Sequence, residues 1–69
     1  MKILTQLEFF DGEDFITFDV IDLNKDKHKL TAVVTNRGKL SYSEFDLFES
    51  KYGYYIEYGP ILTKIYINL

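Results

Sequence analysis

Leu40 to Tyr55, LSYSEFDLFESKYGYY, carries both a start signal and a stop signal for a helix. Ser41 and Glu44 stand at the Ser-x-x-Glu spacing of a capping box, in which each side chain satisfies a free backbone N–H of the first turn. Leu40 and Phe45 flank them where a hydrophobic staple needs its pair. Gly53 is placed to end the helix in a left-handed conformation. Phe45, Phe48 and Tyr52 fall at i, i+3 and i+7 on one apolar face, with Leu47 on the far side. The spacing predicts a helix of about ten residues near Tyr42 to Tyr52.

On both sides of that stretch the text is β-like. Ile3 to Phe10 places Ile3, Leu7 and Phe9 on one face, and Asp11-Gly12-Glu13-Asp14 has the Asp-Gly signal of a hairpin turn. From Asp14 to Leu23, Ile16, Phe18 and Val20 alternate with Thr17 and Asp19. Asn24 to His28 is a charged turn. Lys29 to Thr35 follows as a third strand with Leu30, Ala32 and Val34 inward, and Asn36-Arg37-Gly38-Lys39 releases the chain toward the helix. Tyr54 to Tyr58 and Ile61 to Leu69 are two further strands, separated by Gly59-Pro60. The expected fold class is therefore α+β: a small, mainly antiparallel sheet in the order β-β-β-α-β-β, with one helix packed on one face.

Sixty-nine residues predict a single domain spanning 1–69. Its core must be modest, and small scaffolds of this kind lean on disulfides, metals or association. Without cysteine there is no disulfide, and one histidine provides no zinc cluster. Self-association or good local packing is left, and six Phe with six Tyr provide surface for an interface. Eleven Asp and Glu against eight Lys and Arg give a formal charge of -3. That balance argues against direct nucleic-acid binding, which needs a basic stripe. No secretory signal and no apolar run of membrane-span length is visible, so a soluble, cytoplasmic protein is expected.

Catalytic chemistry finds little support. His28 is the sole imidazole and sits among Lys25, Lys27 and Lys29 in a turn, the setting of a solvated side chain. Asp11, Glu13 and Asp14 lack the spacing of a calcium loop and read better as a solvated hairpin turn. No glycine-rich phosphate loop occurs. No catalytic residue, cofactor site or metal site is assigned.

The tyrosines and carboxylates have two readings each. Tyr52, Tyr54, Tyr55, Tyr58 and Tyr66 either cover the edges of a thin core or form a binding surface, because tyrosine brings large contact area at low entropic cost. Leu47 either meets another subunit or is a harmless exposed leucine. Glu44, Asp46 and Glu49 would favour the N-terminal half of a helix. Glu8, Asp19, Asp22 and Glu57 lie on or beside strands, where alternate carboxylates stand roughly 6.6 Å apart. Such a row imitates a phosphate backbone, or is simply the wet face of a sheet.

From Arg37 to Phe48, RGKLSYSEFDLF, the chain resembles the short uracil-DNA glycosylase inhibitors of certain Bacillus phages. Those share a basic residue and glycine, then Leu-Ser-x-Ser-acid-Phe-acid, two apolar residues and soon Tyr-Gly, here Tyr52-Gly53. Their C-terminal strand, with aliphatics around a lysine, is similar to Ile61 to Leu69. The resemblance implies a homodimeric DNA mimic acting in the cytoplasm of a bacterial host cell, its acidic edges replacing phosphates in the cleft of the host uracil-DNA glycosylase. It also implies an apolar pocket for a projecting leucine of that enzyme. Carried over by position, Phe45 and Tyr52 line the pocket, and Glu44 and Asp46 face the basic cleft. Leu47 and Phe48 complete the expected partner-binding set. The alternative is a small non-catalytic interaction module with a tyrosine-rich surface and a different partner.

Overall fold

The computed structural model describes residues 2–68. Seven strands follow in chain order: β1 (Thr5–Phe10), β2 (Phe15–Asn24), β3 (Lys29–Asn36), β4 (Lys39–Asp46), β5 (Phe48–Ser50), β6 (Gly53–Tyr58) and β7 (Thr63–Tyr66). They form two antiparallel meanders, a four-stranded sheet β1-β2-β3-β4 and a three-stranded sheet β5-β6-β7. Among the described residues there is no helix. The fold is all-β, and the expected α+β architecture with a helix near Tyr42 to Tyr52 is overturned.

The turn before β4 explains the correction. Asn36 pairs with Lys39, so only Arg37 and Gly38 separate β3 from β4. Both adopt positive φ, 54° at Arg37 and 77° at Gly38. Positive φ at both central residues is the signature of the type I′ turn, whose twist matches that of a hairpin. The chain therefore reverses on itself. All eight residues of β4 then pair in continuous register with β3, from Asn36↔Lys39 to Lys29↔Asp46. An isolated helix shorter than about 12 residues is marginal in water, whereas this ladder satisfies backbone groups along the whole segment. Ser41 and Glu44, spaced as a capping box, lie instead on opposite faces of a strand.

Gly53 has a different task from the one its position suggested. It opens β6 at φ 117° after the Ser50–Gly53 reversal. There Ser50 Oγ accepts from the Tyr52 backbone N–H at 3.1 Å and donates to the Gly53 carbonyl at 3.3 Å.

The core lies between the two sheets. Leu7, Ile16, Phe18, Val20, Leu30, Ala32 and Val34 come from the four-stranded sheet, and Ile56, Ile65 and Ile67 from the smaller sheet and the residues just after it. For β2 and β3 these are the inward alternations expected; in the first strand Leu7 is buried and Phe9 packs against the core, but Ile3 precedes β1 and is 46% exposed. Phe18 is completely enclosed and is met by Tyr58 at 4.9 Å and Phe45 at 5.8 Å between ring centroids, both edge-on. The last strand is shorter than its alternation predicts: Ile61 is left 85% exposed, and Leu69 lies outside the described residues.

Leu47 joins the sheets. It sits between β4 and β5, its backbone N–H donates to the His28 carbonyl at 2.9 Å, and its side chain is only 2% exposed. The leucine expected on a far surface is a core residue that carries the chain from one sheet to the other. His28 takes φ 55° in the β2–β3 turn, so its visible part in the fold is played by its backbone.

Candidate protein-binding notch

Where β4 leaves the larger sheet and β5 begins the smaller one, alternation sends successive side chains in opposite directions. Phe45 turns inward against Phe18 and Tyr58. Glu44 and Asp46 belong to the opposite face, in register with Thr31 and Lys29. After buried Leu47, Phe48 emerges on the outside of the smaller sheet, partnered by Tyr55. These residues meet Glu57 of β6 and Leu62 of the β6–β7 turn around an open notch of about 270 Å³. Phe45, Phe48 and Leu62 are its apolar lining residues, and Glu44, Asp46 and Glu57 its carboxylates.

The charges are partly balanced. Lys29 Nζ approaches Asp46 Oδ1 at 2.6 Å, and this hydrogen bond, followed by the charge of Asp46, raises the ammonium pKa above its ordinary value. Both side chains remain well exposed, so the pair adds little stability. Glu57 stands opposite Lys64 in the β6–β7 register. Glu44 has the uncharged Thr31 as its cross-strand partner.

Four of the six expected site residues, Glu44, Phe45, Asp46 and Phe48, thus line one notch although no helix presents them. The other two do not. Leu47 is in the core, and Tyr52 occupies the β5–β6 turn at 74% exposure with Lys51 Nζ 5.0 Å from its ring centroid. Leu62 was not foreseen as a site residue. Its φ of 54° in the β6–β7 turn takes it out of the strand alternation that the sequence suggested.

The tyrosines divide between the core side and the outer face of the smaller sheet. Tyr54 and Tyr58 pack against the core. Tyr54 has its hydroxyl pKa raised, first by burial and then by the neighbouring charge of Glu49. Tyr55 and Tyr66 form an external ladder with Phe48, ring centroids 5.3 Å apart at each step, and Lys64 Nζ lies 5.0 Å from the Tyr55 centroid. Phe48 belongs to both ladder and notch, so the two surfaces are continuous.

On the larger sheet, register and alternation put Glu8, Asp19, Asp22, Glu44 and Asp46 on the face away from the core. Asp22 and Glu44 flank Thr31 across three strands, roughly 9.6 Å apart at two strand spacings. Asp19 accepts a hydrogen bond from Gln6 Nε2 at 2.7 Å.

The acidic turn has a structural task. Asp11 Oδ1 accepts the backbone N–H groups of Glu13 and Asp14, each at 2.8 Å. Those two bonds, that of Asp14 first, hold the Asp11 carboxyl below its usual pKa. Arg37 ties the neighbouring hairpin to this turn through Asp14 at 2.7 Å and Glu13 at 3.5 Å. Among the described residues no group of three or more His, Cys, Asp or Glu is gathered as a metal site, and no helix is long and apolar enough to cross a membrane. Comparison with protein-family models, curated proteins and solved structures finds no match to this chain.

Proposed function

We propose that the protein is a non-enzymatic inhibitor that mimics DNA and occludes the DNA-binding cleft of uracil-DNA glycosylase. The observation that carries this reading is the notch, where Phe45 and Phe48 beside Glu44, Asp46 and Glu57 suit a projecting apolar side chain set among basic residues. The carboxylates on the outer face of the larger sheet extend the same charge beyond it. The target itself rests on the resemblance from Arg37 to Phe48. Association into a homodimer and action inside a bacterial host cell are parts of the same proposal.

A direct test adds purified protein in excess to a uracil-excision assay. Loss of excision is the expected result, and unchanged excision removes this target. Phe48→Ala is the informative variant, because the ring is already 36% exposed and its removal leaves the inter-sheet core intact. It should weaken inhibition while the folded spectrum is retained. Phe45→Ala is less useful, since that ring also packs on Phe18.

The Phe48–Tyr55–Tyr66 ladder favours a second reading, a small interaction module with a different partner. Neighbouring rings on the outer sheet face, stacked at Phe48–Tyr55 and tilted by 49° at Tyr55–Tyr66, provide contact area that needs no basic cleft opposite. Salt separates the two, because association through the ladder would change little with ionic strength.

A further inference from the structure

A second concavity opens at the end of the molecule where the Asp11–Asp14 turn meets the segment from Gly59 to Thr63. It measures about 520 Å³, within the range of small-molecule sites. Phe9, Ile16 and Tyr58 wall it, with the first and last meeting edge-on at 6.0 Å. Ile61 stands at its lip, 85% exposed, an apolar side chain that the fold itself leaves in water.

Among the described residues that line the cavity, Asp11 alone is charged. It stands two residues after Phe9, so strand alternation carries both toward the same side of β1. Its Oδ1 accepts the backbone N–H groups of Glu13 and Asp14, which leaves Oδ2 for another donor. Arg37 is engaged by Asp14 at 2.7 Å and Glu13 at 3.5 Å. Three carboxylates against one guanidinium leave this turn negative. The rings carry a matching vacancy for positive charge. Tyr52, Tyr54 and Tyr55 each have a lysine Nζ 5.0 or 5.1 Å from the ring centroid, whereas among the described residues no lysine takes that place at Phe9 or Tyr58.

We propose that this cavity binds a small organic ammonium ion carried on an apolar body. The rings, Pro60 and Ile61 take up the body, and Asp11 receives the ammonium at the mouth. A cation near ring faces gains from their quadrupole, and the carboxylate adds direct attraction. Recognition then depends on charge as well as on shape. The cavity is distinct from the notch and from the glycosylase reading, and each stands or falls without the other.

Phenethylammonium and 2-phenylethanol are suitable probes, nearly equal in shape but only one charged at neutral pH. In a backbone-amide NMR titration at millimolar ligand and low salt, phenethylammonium should move the signals of Phe9, Asp11, Ile16, Tyr58 and Thr63. It should bind about three- to tenfold more tightly than 2-phenylethanol, and added salt should narrow the difference. Asp11→Asn removes the charge but keeps a side-chain oxygen for the two backbone N–H groups of the turn, and this variant should bind both probes equally. Absence of shifts around the cavity with phenethylammonium overturns the proposal. A preference for the cation that persists in Asp11→Asn also overturns it. So does equal affinity of the unmodified protein for the two probes, a result that stands even if Asp11→Asn fails to fold.

Discussion

Two residues put opposite demands on their surroundings, and both can be tested singly. Asp11 is exposed, yet its carboxylate organises the β1–β2 turn by accepting from two backbone N–H groups. Its folded pKa lies below the ordinary value near 3.8, so it contributes stability that is complete above that value. The contribution disappears as pH falls through the lower, folded pKa. Asp11→Ala should lower the melting temperature at neutral pH, and the deficit should shrink as both proteins are titrated below about pH 4; a constant deficit down to low pH would show that the carboxylate charge is irrelevant. Leu47 makes the contrary point. At 2% exposure, Leu47→Ala should cost about 2–5 kcal/mol in denaturant unfolding. A leucine on an exposed helical flank would cost within about 0.5 kcal/mol.

At the scale of elements, the β3–β4 hairpin shows how far the sequence could be read. The first three strands and most of their inward residues are legible because alternation is a period-two signal that one buried face enforces. The fourth is not, because Leu40 to Phe48 satisfies two templates at once. Phe45 and Phe48 keep helical spacing, while Leu40, Tyr42 and Glu44 alternate against Ser41, Ser43 and Phe45 as a strand requires. What separates them is Arg37-Gly38. A Gly at the second central position is a hairpin signal, but Arg at the first is an unusual choice for positive φ, and the turn is therefore easy to miss. The ion pairs of Arg37 with Asp14 and Glu13 become visible only after folding. Glu44, Phe45, Asp46 and Phe48 line one notch because the chain bends at Leu47 from one sheet into the other, a convergence that a continuous helix would not produce and that the residue spacing did not show. Gly38→Ala tests the turn. Nothing lies within 4 Å of an added Cβ, so the penalty is the backbone conformation alone, about 1–2 kcal/mol. Loss should appear as faster amide exchange along β3 and β4, with less change in β6 and β7.

For the whole molecule the deciding quantity is charge arrangement rather than charge total. A formal charge of -3 is modest for a protein that substitutes for DNA, but the fold gathers carboxylates along one sheet face and around the notch. Local clustering matters because the field at a cleft acts over about a Debye length, near 8 Å at physiological salt. Replacing both Glu44 and Glu57 by lysine makes the test severe. Each replacement removes one negative charge and adds one positive charge, so the formal charge moves from -3 to +1 while Phe45, Phe48 and Leu62 stay in place. Both glutamates stand on strand positions with no enclosed partner, so the fold should persist. If the target cleft is basic, association with the glycosylase should slow by about tenfold or more at low salt, and the slope of its rate against ionic strength should flatten. Dissociation should change less, because rim charges act mainly on encounter. A variant that associates at the original rate and with the original salt dependence would assign binding to the aromatic ladder, and the carboxylates would then be only the wet side of a small β protein.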